Sequence, residues 1–120
     1  MRACTLLDSF RYALAGLMHA IRTQRNMRIH CLATIVVLAL GYILQFSPVE
    51  LAILTLTVSL VLVAELINTA IETTVDLITP EYHPLAKTAK NVAAGAVLVM
   101  ALGAVMVGVF LFFNRLVPLR

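Results

Sequence analysis

The sequence predicts an all-α integral membrane protein, with one amphipathic helix on the bilayer surface followed by three helices that cross it. Two observations carry this reading. Only 12% of the 120 residues are charged and 62% are hydrophobic, with a mean hydropathy of +0.99, whereas roughly a quarter of an ordinary soluble domain is charged. The nine Lys and Arg and six Asp and Glu are also clustered, leaving long stretches with no ionised group to hold them in water. A cytosolic globular enzyme is excluded, and the length fits one domain over residues 1–120.

The start of the chain lacks an uninterrupted apolar run ending in a small-residue cleavage site, so the mature protein is expected to begin here. The surface helix is predicted over about residues 8–27: Phe10, Leu14, Leu17, Met18 and Ile21 recur at helical spacing, Arg11, Arg22 and Arg25 project elsewhere, and Asp8 or Ser9 is available as the cap. Such a helix rests its apolar side in the headgroup boundary and its arginines against phosphates.

The first span is predicted over about residues 29–46, reaching membrane length only by including Ile29 and His30. Ser47-Pro48 makes a tight turn, because proline opens a helix well but cannot continue one. The second span runs over about residues 49–78, apolar to Ala64 and polar beyond, long enough to protrude from the hydrocarbon. Glu81-Tyr82-His83-Pro84 forms a polar loop, and the third span covers about residues 86–114. Gly95, Gly103 and Gly108 give it small surfaces where other helices can approach. Three helices make a thin bundle, and ionisable groups in a membrane need shielding, so a homo-oligomer is expected.

Basic residues set the orientation. Arg2, Arg11, Arg22, Arg25 and Arg28 precede the first span and Lys87 and Lys90 lie between the second and third, which puts the amino terminus and the second loop in the cytoplasm. Arg115 and Arg120 fall on the outer side and are outnumbered. The net charge of +3 comes without a basic-aromatic ladder, so the partners are lipid headgroups and nucleotide phosphates, not nucleic acid. Cys4 and Cys31 match neither a metal-ligand spacing nor a disulfide framework and are read as free thiols.

The chemistry concentrates on the second span. Glu65, Asn68, Glu72 and Asp76 fall within an arc of about 80° on one helix face. Carboxylates facing lipid would cost several kcal/mol each, so the stripe must meet water, a cation or a partner chain. Glu65 lies deepest, near the hydrocarbon boundary, where desolvation suits it to act as a general base. Glu72 lies two turns nearer the cytosol, suited to a hard cation such as Mg²⁺. The alternative is a structural seam closing an oligomer.

Lys87, Lys90 and Asn91 share a face at the entry to the third span, where an anion would gain from ammonium groups and free backbone amides; as an alternative, the lysines are positive-inside anchors. His83, His19 and His30 are each read as solvated or capping groups rather than metal ligands. The chain contains no P-loop, dinucleotide-binding or nucleophile-elbow signature.

Glu65-x-x-Asn68-Thr69-Ala70-Ile71-Glu72-x-x-Val75-Asp76, followed by Glu81-Tyr82-His83 and Ala86-Lys87-x-Ala89-Lys90, resembles the signature of the small prokaryotic integral-membrane lipid kinases, the diacylglycerol kinase and undecaprenol kinase family. Gly16-Leu17 and Arg25-Asn26 extend the likeness over nearly the whole chain. The resemblance implies a homotrimeric bundle in the bacterial cytoplasmic (inner) membrane, with active sites between subunits, ATP and a membrane lipid alcohol as substrates, and Mg²⁺ as cofactor. It implies Glu65 as catalytic base, Asn68 as its hydrogen-bonding neighbour and Glu72 as metal ligand and nucleotide contact. Glu81, Tyr82, His83, Lys90 and Tyr12 fall at nucleotide-binding positions.

Two carboxylates of the family pattern are amides here. Gln24 stands where the family has a second metal-binding glutamate, and Asn91 where it has an aspartate, both at positions of the nucleotide site. A neutral amide oxygen still ligates Mg²⁺ without supplying charge, so metal affinity is expected to fall and phosphoryl transfer to slow. Residues 93–99 and 25–30 are similar to the undecaprenol kinase branch, which favours undecaprenol over diacylglycerol as acceptor. The rival from another class is a catalytically weak or inactive homo-oligomeric membrane protein that uses its acidic face as a seam or proton relay.

Overall fold

The computed structural model describes residue 2 and residues 4–117 of the chain, all helical apart from short turns. Four helices follow one another: α1 (Leu6–Thr23), α2 (Arg25–Ile43), α3 (Pro48–Ile78) and α4 (Pro84–Leu116). Arg120 lies outside the described residues.

α1 starts earlier than its expected cap. Thr5 takes the extended cap conformation and accepts from the Asp8 N–H at 3.1 Å, while Asp8 sits inside the first turn, where its charge favours the helix dipole. The surface helix also stops at Thr23 instead of continuing to residue 27. Gln24 is extended (φ −107°, ψ 114°) and its N–H closes on Ala20 O at 2.9 Å. The break is held by Arg28, whose guanidinium reaches back to the carbonyls of Ile21 (3.2 Å) and Arg22 (2.9 Å). It thereby satisfies two acceptors that a helix end leaves open.

α2 therefore begins four residues before the expected span and ends three residues before it. Its 19 residues measure about 28 Å, close to the hydrocarbon thickness of about 30 Å. It closes in a Schellman turn: Phe46 N–H bonds Gly41 O at 2.9 Å and Gln45 N–H bonds Tyr42 O at 3.1 Å, with Gln45 at a φ of 58°. The close approach at Gly41 has no room to spare, since a Cβ there would lie 3.2 Å from the Phe46 ring.

Ser47-Pro48 turns the chain as expected. Ser47 and Glu50 form a capping box, and Pro48 occupies the first turn of α3. Arg115 near the end of α4 donates to Glu50 Oε2 (2.7 Å) and Gln45 O (2.8 Å) and lies over Phe46, which itself packs on Phe112 with ring centroids 4.9 Å apart. The outlying basic residue thus answers a local acid.

α3 and α4, of 31 and 33 residues, run about 46 and 50 Å, longer than the hydrocarbon. α3 packs against both α2 and α4, and α1 touches α2 and α3. Its buried positions, Leu54, Val61, Glu65, Asn68 and Thr69, keep one face turned inward. Only 6–17% of each spanning segment is buried within the chain, so most of the apolar surface faces lipid or another subunit. A Cβ at Gly95, Gly103 or Gly108 of α4 would meet nothing within 4 Å, and Gly108 lines an open groove between α2, α3 and α4. Within one chain these glycines bring no helix close, because α4 turns Ala93 and Val97 inward instead.

Candidate functional site

The acidic stripe on α3 passes from a dry interior to open solvent. Glu65 is 2% exposed, Asn68 is buried, Glu72 is half-buried and Asp76 is exposed. Each meets a different neighbour. His30 of α2 brings its Nε2 to 3.3 Å from Glu65 Oε1. Asn68 Nδ2 donates to Glu72 Oε1 at 3.2 Å, one helical turn along. Asp76 pairs with Lys90 of α4.

Two expectations change here. The hydrogen-bonding partner of Asn68 is Glu72, not Glu65: both lie within reach on the helix face, and the amide N–H₂ is turned toward Glu72. The neighbour of Glu65 is His30, a residue read from the sequence as merely solvated or capping. A signal for it existed: it is an ionisable group inside a segment that must enter the membrane, the criterion that singled out Glu65.

Past Asp76 the α3–α4 hairpin opens into a cavity of about 430 Å³, within the range of small-ligand sites. Glu81, Tyr82, His83, Lys90 and Asn91, the expected nucleotide contacts of this region, all line it, joined by Asp76 and Lys87. His83 caps α4 by accepting from the Leu85 N–H through Nδ1 at 3.1 Å, as read from the sequence. That cap occupies the Leu85 N–H and Pro84 has no N–H to offer, so fewer amides are free for an anion at this helix start than expected. The lysine ammonium groups are therefore the main source of positive charge there.

The remaining expected contacts lie apart. Tyr12 lines a separate cleft of about 520 Å³ between α1 and α3, beside Thr69 and Thr73. Gln24 sits at the α1–α2 break. An apolar groove of about 280 Å³ runs between α2, α3 and α4, bounded by Val61, Ala101 and Phe112, and His30 is its one ionisable lining residue. Among the described residues no cluster of three or more His, Cys, Asp or Glu side chains gathers. Asn68 Oδ1 is nevertheless buried without a hydrogen-bond partner, on the amide whose Nδ2 donates to Glu72. Hard oxygens in that arrangement suit a divalent cation.

Residues 11–112 match the family described as prokaryotic diacylglycerol kinase. The chain belongs to this family. It is 48% identical to a diacylglycerol kinase of Synechocystis over 98% of this chain and 67% of the relative. It is also similar to the undecaprenol kinase of Bacillus subtilis, with 44% identity over 90% of this chain and 88% of the relative. A diacylglycerol kinase of Pseudomonas aeruginosa is 36% identical over 76% and 74%. Family membership, together with three helices long and apolar enough to cross a bilayer, makes this a bacterial membrane protein. Kinase chemistry of this family also calls for a divalent metal.

Proposed function

We propose that this lipid kinase moves the γ-phosphoryl group of ATP to the hydroxyl of a membrane alcohol, undecaprenol in preference to diacylglycerol. The observation that carries the reading is the graded face of α3: a buried carboxylate, then an amide–carboxylate pair, then an ion pair on the rim of an open cavity. A lipid alcohol approaches from the hydrocarbon and a nucleotide from water. An enzyme joining them needs a base at the dry end and phosphate-binding groups at the wet end.

In this mechanism Glu65 accepts the hydroxyl proton as the lipid oxygen attacks the γ-phosphorus, and the bond to ADP breaks with its electrons on the leaving oxygen. The triphosphate draws the Lys90 ammonium from Asp76, so that it faces the charge spreading over the transferring phosphoryl oxygens. Glu81, Tyr82, His83 and Asn91 hold the nucleotide in the hairpin cavity. Glu72, Gln24 and the unpartnered Oδ1 of Asn68 would hold Mg²⁺, which supplies neutralisation of the phosphate oxygens when bound. Tyr12 lines a different cleft of the same chain, which favours its arrival from a neighbouring subunit. That division supports a homotrimer with active sites between subunits. The amino terminus and the α3–α4 loop would face the cytoplasm, following the basic residues.

Incubating purified protein with γ-radiolabelled ATP, Mg²⁺ and micelles of either undecaprenol or diacylglycerol tests the reading. Label in the lipid fraction is expected, with undecaprenol labelled faster. Neither lipid labelled, together with no binding of ATP, would remove the catalytic reading.

A further inference from the structure

We propose that His30 is the positioning residue of the candidate base, its imidazole holding one carboxylate oxygen of Glu65 so that the other is presented to the lipid hydroxyl. The inference rests on the reading of Glu65 as that base. Three observations support it. Glu65 is 2% exposed, and a carboxylate withdrawn from water needs a donor. His30 Nε2, at 3.3 Å from Oε1, is the one basic side-chain atom within 4 Å of Glu65 among the described residues. The imidazole also ends the apolar groove between α2, α3 and α4, so the pair stands where hydrocarbon gives way to the acid stripe.

The local fold sets this contact. The break at Gln24, stabilised by Arg28, starts α2 afresh at Arg25 and determines which face of that helix meets α3. His30 lies on the met face, between buried Met27 and half-buried Thr34. An imidazole with its proton on Nε2 donates to a carboxylate whether the ring is neutral or charged. A hydrogen bond from Nε2 across this 3.3 Å separation would hold the Glu65 rotamer and leave Oε2 for the incoming hydroxyl. No bond of His30 breaks in the reaction; the hydroxyl proton goes to Glu65 and the histidine keeps its own. An unrestrained glutamate samples several rotamers, and loss of a near-attack geometry can lower a rate by about 100-fold.

Steady-state kinetics on the full-length protein in micelles, with diacylglycerol and undecaprenol each as acceptor, separates this role from simple packing. His30→Leu is expected to lower kcat between about 10- and 100-fold, with KM for ATP changed by less than about twofold. His30→Gln, which can still donate to Oε1, is expected to recover most of the rate, remaining within about fivefold of the parent. Added to Glu65→Gln, the leucine substitution should have no further effect, as required of two groups acting as one unit. A folded His30→Leu protein that keeps kcat within about twofold of the parent, alongside an inactive Glu65→Gln, overturns the role of His30 and leaves the base reading standing. Undiminished turnover by Glu65→Gln overturns the base reading itself. Should the leucine variant fail to assemble, His30→Gln decides: folded and active it supports the proposal, and folded with kcat reduced more than about tenfold it overturns it.

Discussion

At the α2–α3 turn nearly every polar group meets a partner inside the chain, whereas at the α3–α4 hairpin comparable groups line an open cavity. The turn combines a Schellman closure, a capping box, a packed aromatic pair and an arginine that answers both a carboxylate and a carbonyl. The hairpin end keeps Asp76 exposed beside Lys90 and surrounds about 430 Å³ of accessible space, and farther along the same face of α3 Asn68 Oδ1 is left without a partner. Both ends belong to the same two long helices, so the difference is not one of secondary structure. Groups that satisfy one another hold a fold; groups left unsatisfied are available to a ligand.

Substitutions at each end should break this contrast in opposite ways. The largest effect is expected from Glu65→Gln, which should cut turnover by more than about 1,000-fold while leaving helix content and oligomeric state unchanged by circular dichroism and cross-linking. At the other end, Phe46→Ala removes a side chain that is 6% exposed and packed on Phe112. It should lower unfolding free energy by about 3 kcal/mol in a denaturant titration, with kcat of the surviving folded protein unaltered.

Smaller effects sharpen the same contrast. Gln24→Glu restores a charge to the proposed cation site, and the Mg²⁺ concentration for half-maximal rate should fall several-fold; an unmoved metal titration would detach Gln24 from that site. The smallest change is Gln45→Gly. It relieves a side chain held at a φ of 58° and should stabilise the turn by roughly 0.5 kcal/mol, read as a small rise in Tm at constant turnover.

How much of this the chain discloses before folding depends on how local each signal is. The three spans were legible because uncharged runs and the charges that bound them are properties of single segments. The acid stripe was legible because helical spacing converts sequence distance directly into a shared face. The proline-bracketed hairpin gathered its expected nucleotide contacts for the same reason, since Glu81 to Asn91 are neighbours in sequence.

What escaped depended on contacts between segments or on close local competition. Gln24 is neither glycine nor proline, and the break there depends on a guanidinium folding back from the following helix. Thr5 displaced Asp8 and Ser9 as the cap because three capable residues stand within five positions of one another. The contact between His30 and Glu65 joins residues 35 positions apart on different helices, a distance that no periodicity within one segment encodes. The α4 glycines were legible as small surfaces, but what they face was not: a Cβ at any of them would meet nothing within 4 Å, and Gly108 opens on the groove between α2, α3 and α4.

The uninterrupted course of α3 has a mechanical consequence. From Val49 to Ile78 it contains neither glycine nor proline, the residues at which helices most often kink. A bilayer that thickens or thins must then be met by leaning the whole rod rather than flexing it, and the carboxylates lean with it. In the proposed mechanism, the depth of the phosphoryl transfer is thereby tied to the lipid composition around the protein.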